Sequence, residues 1–376
     1  MRQLPACLLF LAAILPATPI IARGQGVTSD SITIGQSGAL TGPADEIGTG
    51  MKAGAEACFN AVNQAGGIFG RKLRLVSLDD GGDADRAKSN TQKLLGEESV
   101  LALIGYSGDH AIKAVLPMIE KARVPFIAPA SGEQTLREPV NRYIFSTRAS
   151  YVDEAEHMID QLVRRGITRI ALFYQNDPYG RGGLAGVDKA LRDRKLAVVL
   201  FGSVDRHSIN VASAAQNIHK SGAQAVIIAS GAKPGAAFIR EMKKLGSGAQ
   251  FVVFSNAGAR TLATQLGDDG RGVAVSQVVP LPTSEADALG REYLKAIGGV
   301  NNASFASLEG YIAAKVLVEG IRKSGKNLSR ESLLDALEKT GTLDLGGYRV
   351  KFSATNHSGS SLVEPTVIGA LGVYRR

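Results

Sequence analysis

The sequence predicts an α/β protein of two doubly wound lobes, each a parallel sheet wrapped by helices. Three features of its 376 residues carry that expectation. Short β-rich runs alternate with helical stretches of ~15 residues, the length of a crossover between parallel strands. The same alternation starts afresh near Tyr151 and runs to a similar size. The last third then offers helices with almost no strand of their own, and such helices must return to cover a sheet already made.

In the first set, "SITIGQSGAL" (31–40) reads as a strand. The helix "GTGMKAGAEACFNAVNQAGG" (48–67) puts Met51, Ala55, Cys58 and Val62 on one face, and Gly66-Gly67 stop it. "KLRLVSLDD" (72–80), "VLALIGYSG" (100–108) and "VPFIAPASG" (124–132) are strands, separated by the helices "DADRAKSNTQKLLGEE" and "DHAIKAVLPMIEKAR". The second set begins with the helix "YVDEAEHMIDQLVRRG" (151–166). Strands "RIALFYQND", "AVVLFGSV", "AVIIASG" and "QFVVFSN" then alternate with helices "LAGVDKALRDRK", "NVASAAQNIHKSG" and "GAAFIREMKKLG". The closing helices are "SEADALGREYLKAIG", "ASFASLEGYIAAKVLVEGIRKSG" and "SRESLLDALEKTG", followed by strands in "YRVKFSA" and "TVIGALGVYR".

The first residues differ in kind. Arg2, the apolar stretch "ACLLFLAAILPATPII" and Ala22-Arg23-Gly24 form a secretory signal peptide over 1–24, with the mature chain starting near Gln25. An uncleaved anchor is the alternative, but Pro16 and Pro19 cut the run short of the ~20 apolar residues a spanning helix needs. Cys7 leaves with this leader and lies at the start of the apolar stretch, which argues against a lipid-modified N-terminus. Cys58 remains alone, so the exported chain holds together without an internal disulfide.

The net charge is +8, and loss of Arg2 and Arg23 with the leader removes two charges to leave +6. That excess is dispersed, there is no tryptophan, and no Lys/Arg cluster carries interleaved aromatics, so nucleic acid is not expected as a partner. His157, His207, His219 and His357 show no metal-ligating spacing, "GGDADR" and "GDDGRG" lack the alternating ligands of a calcium loop, and no GxxxxGK[ST] occurs. No metal and no cofactor are expected.

Several motifs together resemble one family. "ITIGQSGALTGPADEIGTGMKAGAEACFNAVNQAGGIFGRKLRLVSLDDGGD" joins a first strand, a G-x-x-[ST]-G loop at Gly38–Gly42, and a helix ending in N-x-x-G-G-I-x-G at Asn63–Gly70. "FYQNDPYGRGGLAGVDKAL" and "SFASLEGYIAAKVLVEGI" continue the likeness over essentially all of the mature chain. These stretches resemble the type I periplasmic solute-binding proteins of the Leu/Ile/Val-binding group, which serve ABC importers. The resemblance implies two Rossmann-like lobes joined by a three-strand hinge, with a ligand cleft between them that closes on binding. Lobe I is expected over 25–147 plus 281–356 and lobe II over 148–280 plus 357–376. The crossings fall near Ser146–Ser150, Val278–Pro282 and Ala354–Ser360.

The resemblance also assigns site residues. Ser107, Gly108 and Asp109 form the loop after the third strand, and Ala130, Ser131 and Gly132 the loop after the fourth. Tyr179 matches the tyrosine of a "YG" pair in the second lobe, Ser230-Gly231 and Ser255-Asn256 its strand ends, and Phe305 the aromatic before the long late helix. Physics supports these loops independently, since ligands of open parallel sheets bind outside the strands' carboxyl ends, where helix N-termini offer free amides. The amino-acid head-group positions of the family correspond here to Asp109, Gly132 and the neutral pair Ser255-Asn256. An acid at 109 repels a carboxylate, so a ligand with a cation or hydroxyl near Asp109, or an aromatic compound on Tyr179 and Phe305, stands beside an amino acid. Asp109 is equally readable as a helix N-cap.

"GYSGDHA" (105–111) gathers a serine, an aspartate and a histidine, yet Asp109 stands where a nucleophile elbow needs its second glycine. The expected function is therefore non-catalytic. A periplasmic monomer captures a small solute, an amino acid or related molecule, and delivers it to ABC-transporter membrane permease subunits. A ligand-sensing receptor of the same fold and a Ser107-dependent hydrolase are the alternatives.

Overall fold

The computed structural model describes residues 25–375; the leader 1–24 lies outside the described residues. The chain opens with β1 (Ser31–Gly38), α1 (Asp45–Gln64), β2 (Lys72–Asp79), α2 (Ala84–Gly96), β3 (Ala102–Ile104), α3 (Asp109–Ala122), β4 (Phe126–Ile127) and β5 (Ile144–Phe145). These strands form one parallel sheet in the order β2-β1-β3-β4-β5. Next come α4 (Tyr151–Arg164), β6 (Ile170–Gln175), α5 (Pro178–Asp193), β7 (Phe201–Val204), α6 (Ala212–Lys220), β8 (Ala225–Ala229), α7 (Ala232–Lys244), β9 (Gln250–Val253), α8 (Ala259–Leu266) and β10 (Ala274–Gln277). The remainder is α9 (Ala288–Ile297), α10 (Phe305–Ser324), α11 (Arg330–Glu338), β11 (Gly341–Asp344), β12 (Arg349–Phe352), β13 (Glu364–Ile368) and β14 (Tyr374–Arg375). The second sheet runs β14-β13-β10-β9-β8-β6-β7, parallel except where β13 and β14 join its edge antiparallel. The molecule is thus α/β with two parallel-sheet lobes, as the alternation predicts.

The late helices return to the first lobe. Helix α10 is buried along most of its length because it lies against α1, and Leu308, Ile312 and Leu317 share a core with Ile32, Met51 and Ile104. Small residues allow the approach: a Cβ on Gly54 would stand 1.8 Å from the Ser307 carbonyl oxygen. The second lobe has separate cores on the two faces of its sheet, with Phe173 stacked on Phe238 on one face and Leu172, Ile227 and Phe254 on the other.

Three chain segments pass between the sheets and are tied together. The Tyr348 hydroxyl donates to the carbonyls of Thr147 at 2.6 Å and Val278 at 3.4 Å, linking the first two passages. Ser146 pairs with the segment of the third, donating its amide to the His357 carbonyl and accepting the Gly359 amide. His357 stacks on Phe145 with ring centroids 3.9 Å apart. Residues 357–359, expected in the second lobe, therefore pack with the first, because the imidazole finds its aromatic partner there. The chain reaches the second sheet at Glu364. Elements β10, α8 and β11 go unrecognised in the sequence, each being a short run in which small or polar residues outnumber large apolar ones. No helix among the described residues is long and apolar enough to cross a membrane.

Candidate functional site

A cavity of about 380 Å³ lies between the lobes, at the carboxyl ends of both sheets. From the first lobe it is lined by Pro43, Glu46 and Ile47 at the start of α1, by Gly81-Gly82 after β2, and by Ser107, Gly108, Asp109 and His110 after β3. The second lobe contributes Gln175, Asp177 and Tyr179 after β6, residues 206–209 after β7, residues 231–234 after β8, and Asn256 with Thr261 after β9. Hydrogen bonds cross it directly. Arg206 donates to the Gly82 carbonyl at 2.7 Å, and Glu46 accepts the amides of Arg260 at 2.9 Å and Thr261 at 2.7 Å. The lobes are closed on one another.

Of the residues expected to grip a ligand, Ser107, Gly108, Asp109, Tyr179, Gly231 and Asn256 line this cavity. Ser107 accepts the Ala39 amide at 3.1 Å. Asp109 is not an N-cap: Gly108 holds that position without a side-chain bond, and the Asp109 carboxylate turns inward as the first helical residue. There it accepts the Ser131 hydroxyl and, at 2.9 Å, the Tyr151 hydroxyl. Burial pushes the Asp109 carboxyl up to about 6, opposed by those two hydrogen bonds. Tyr151, at the first turn of α4, goes unnoticed in the sequence. Its ring packs where a Cβ on Gly132 would meet it at 2.4 Å, and its hydroxyl also accepts Asn256 Nδ2 at 2.7 Å. Tyr151 thus fills the space between Asp109, Gly132 and Asn256 that the resemblance assigns to a ligand head group.

The other expected residues stand behind the cavity wall or elsewhere. The Ala130 carbonyl accepts Asn256 Nδ2 at 3.1 Å, Ser131 is fully buried, and Ser230 is buried with its hydroxyl on the Gly231 carbonyl. Ser255 belongs to a buried charge cluster, bonded through its amide and hydroxyl to Glu154 and accepting Arg148 Nη2. Arg148 also meets Glu154 and Glu309, each at 3.3 Å. Burial alone lowers a guanidinium's pKa, but the carboxylates of Glu309 and Glu154 raise that of Arg148 above its ordinary value. Phe305 does not line this cavity but an adjoining one, which is also walled by both lobes and shares Glu46 with it. Phe305 lies edge-on to Tyr374, ring centroids 5.6 Å apart, in this second cavity of about 580 Å³, because α10 begins against the C-terminal strand. A ligand sandwiched between Tyr179 and Phe305 does not fit this arrangement.

Sequence reasoning misses Glu46, Gln175, Asp177, Arg206 and Lys233, and reads His110 as a helix-surface residue where it lines the cavity. Their signal was available, since Asp177, Arg206 and Lys233 each follow a strand at its carboxyl end. Burial, with Arg206 nearby, lowers the His110 pKa, which favours a neutral imidazole.

A family model described as periplasmic binding protein matches residues 31–364. The chain belongs to this family. A leucine-, isoleucine-, valine-, threonine- and alanine-binding protein of Pseudomonas aeruginosa is 23% identical over 309 residues, 80% of each chain. Among solved structures, a possible leucine/isoleucine/valine-binding protein from Rhodopirellula baltica is 31% identical with a TM-score of 0.85, over 96% of this chain and 97% of that one. A substrate-binding periplasmic protein from Ralstonia solanacearum is 30% identical with a TM-score of 0.84, over 92% of this chain and 99% of that one. As a periplasmic binding protein, this chain has the two-lobed architecture in which its cleft residues are to be read.

Proposed function

We propose that this protein captures a small solute in the cavity between its lobes, closes on it, and hands it to the membrane permease of an ABC importer. The observation that carries this reading is the cavity itself: strand-end loops of both sheets wall it, and direct bonds such as Arg206 to Gly82 span it. Closure of this kind adds contacts only when both lobes meet, so binding energy is converted into a shape a permease recognises. The leader over 1–24 supports export to the periplasm, and the protein acts there as a monomer. Membership of a binding-protein family supports a role without turnover.

The test is calorimetric titration of protein recovered from the periplasmic fraction, paired with small-angle scattering. Saturable one-to-one binding with a smaller radius of gyration is expected. Steady product formation that disappears in Ser107→Ala overturns the proposal.

A further inference from the structure

We propose that His110 and Arg206 form a pH-sensitive latch across the cleft: protonation of His110 sets a second cation beside the Arg206 guanidinium and drives the lobes apart, so the protein releases its solute as its surroundings acidify. This builds on the solute-capture reading above, but it concerns closure itself and is tested without a solute.

The first observation is where the two residues meet. Arg206, in the loop after β7 of the second lobe, reaches across to the Gly82 carbonyl of the first at 2.7 Å. His110 lines the same cavity from the first turn of α3, and the Gly82 carbonyl faces it too. The His110 Nε2 is buried without a hydrogen-bond partner. Protonation makes both ring nitrogens donors, one of them with nothing to accept it, and sets a cation at the positive end of a 14-residue helix.

The second observation is which lobe supplies each influence on His110. Burial lowers its pKa most and Arg206 lowers it next, while the Gly82 carbonyl and the carboxylates of Asp177 and Asp83 oppose them. Gly82 and Asp83 belong to the first lobe and stay beside His110 when the lobes part. Arg206 and the second-lobe wall of the cavity move away, taking Asp177 with them. Opening therefore removes the guanidinium and readmits water, while one of the two acids remains. A group that holds its proton more weakly in the closed form than in the open one shifts the balance toward the open form as pH falls.

The other charged groups around the latch are engaged or exposed. On α3, Lys113 is held by Glu133 at 2.8 Å, and Asp109 turns inward to Ser131 and Tyr151. Near Gly82, Arg86 pairs with Asp79 at 3.1 Å, and Asp80 accepts the Gly82 amide at 2.8 Å. His207, next to Arg206, is exposed, as is Lys233, and Glu46 is occupied by two amides of α8.

The experiment is small-angle scattering of the mature chain from pH 8 to pH 5, with the histidine ring resonances followed by NMR over the same range. The radius of gyration is expected to rise on acidification, and the His110 ring to titrate below the ordinary histidine value. The rise should be lost in His110→Gln and persist in His207→Gln. In Arg206→Gln the His110 titration should move up toward the ordinary value. An unmoved titration in that variant shows that the two groups do not sense one another and overturns the latch. A radius that stays constant across the range, or rises equally in His110→Gln, overturns it as well. Neither result bears on whether a solute binds, which the calorimetric titration above decides.

Discussion

The Glu46 carboxylate of the first lobe accepts the Thr261 amide of the second at 2.7 Å, so a residue of α1 completes the N-terminus of α8 across the cleft. Helix α8 begins at Gly258 with no cap of its own, and the acid that satisfies it arrives only when the lobes close. A carboxylate cap contributes ~0.5–2 kcal/mol. Glu46→Ala should therefore favour the open form and weaken ligand binding by roughly 2- to 30-fold. Scattering of the free protein should show a larger radius of gyration, and an unchanged radius would remove Glu46 from the closing contacts.

Asp109 makes the stability of the fold sensitive to pH. Its carboxyl is raised from 3.8 to about 6 by burial, so between those values the folded protein holds a proton that the unfolded chain has lost. Stability falls with rising pH wherever the native state binds more protons. The Asp109 contribution is thus least favourable above pH 6 and improves on acidification toward 4. Comparing melting temperatures of the parent and Asp109→Asn from pH 4 to 7.5, the variant should gain on the parent as pH rises through 6. Parallel curves would show that Asp109 does not titrate in this window.

Arg148 is fully buried among Glu154, Glu309, Ser255 and Asn256. Replacing one partner of a buried ionic cluster leaves the others uncompensated, at a cost of ~3–5 kcal/mol. Arg148→Met should lower the urea midpoint by that equivalent. A loss under 1 kcal/mol would mean the two acids become protonated at little cost.

The seam between α1 and α10 tolerates almost nothing larger than hydrogen. Gly54→Ala would set a methyl 1.8 Å from the Ser307 carbonyl oxygen and also crowd the Tyr311 amide. Neither obstacle is a movable side chain, so the cost should reach ~3 kcal/mol or more, at the upper end of overpacking. Thermal unfolding tests this, and a Tm within two degrees of the parent would show that the helices slide apart freely.

The lobed α/β architecture and half of the cleft were legible in one dimension because both follow from local rules. Alternating hydrophobic runs dictate parallel strands, and parallel strands put their following loops on one edge. Ser107, Gly108, Asp109, Tyr179, Gly231 and Asn256, which the family resemblance assigns, stand at such strand ends and line the cleft. What only the tertiary structure decided is which polar groups there remain available. Asp109 is silenced by Tyr151, 42 positions away, and Glu46 is consumed by an amide 215 positions away. Phe305 lines the adjoining cavity for the same reason, since the start of α10 meets the C-terminal strand at Tyr374. Periodicity specifies what a residue is and which element carries it. Whether its charge faces a ligand or a neighbour depends on partners that meet only when distant segments pack.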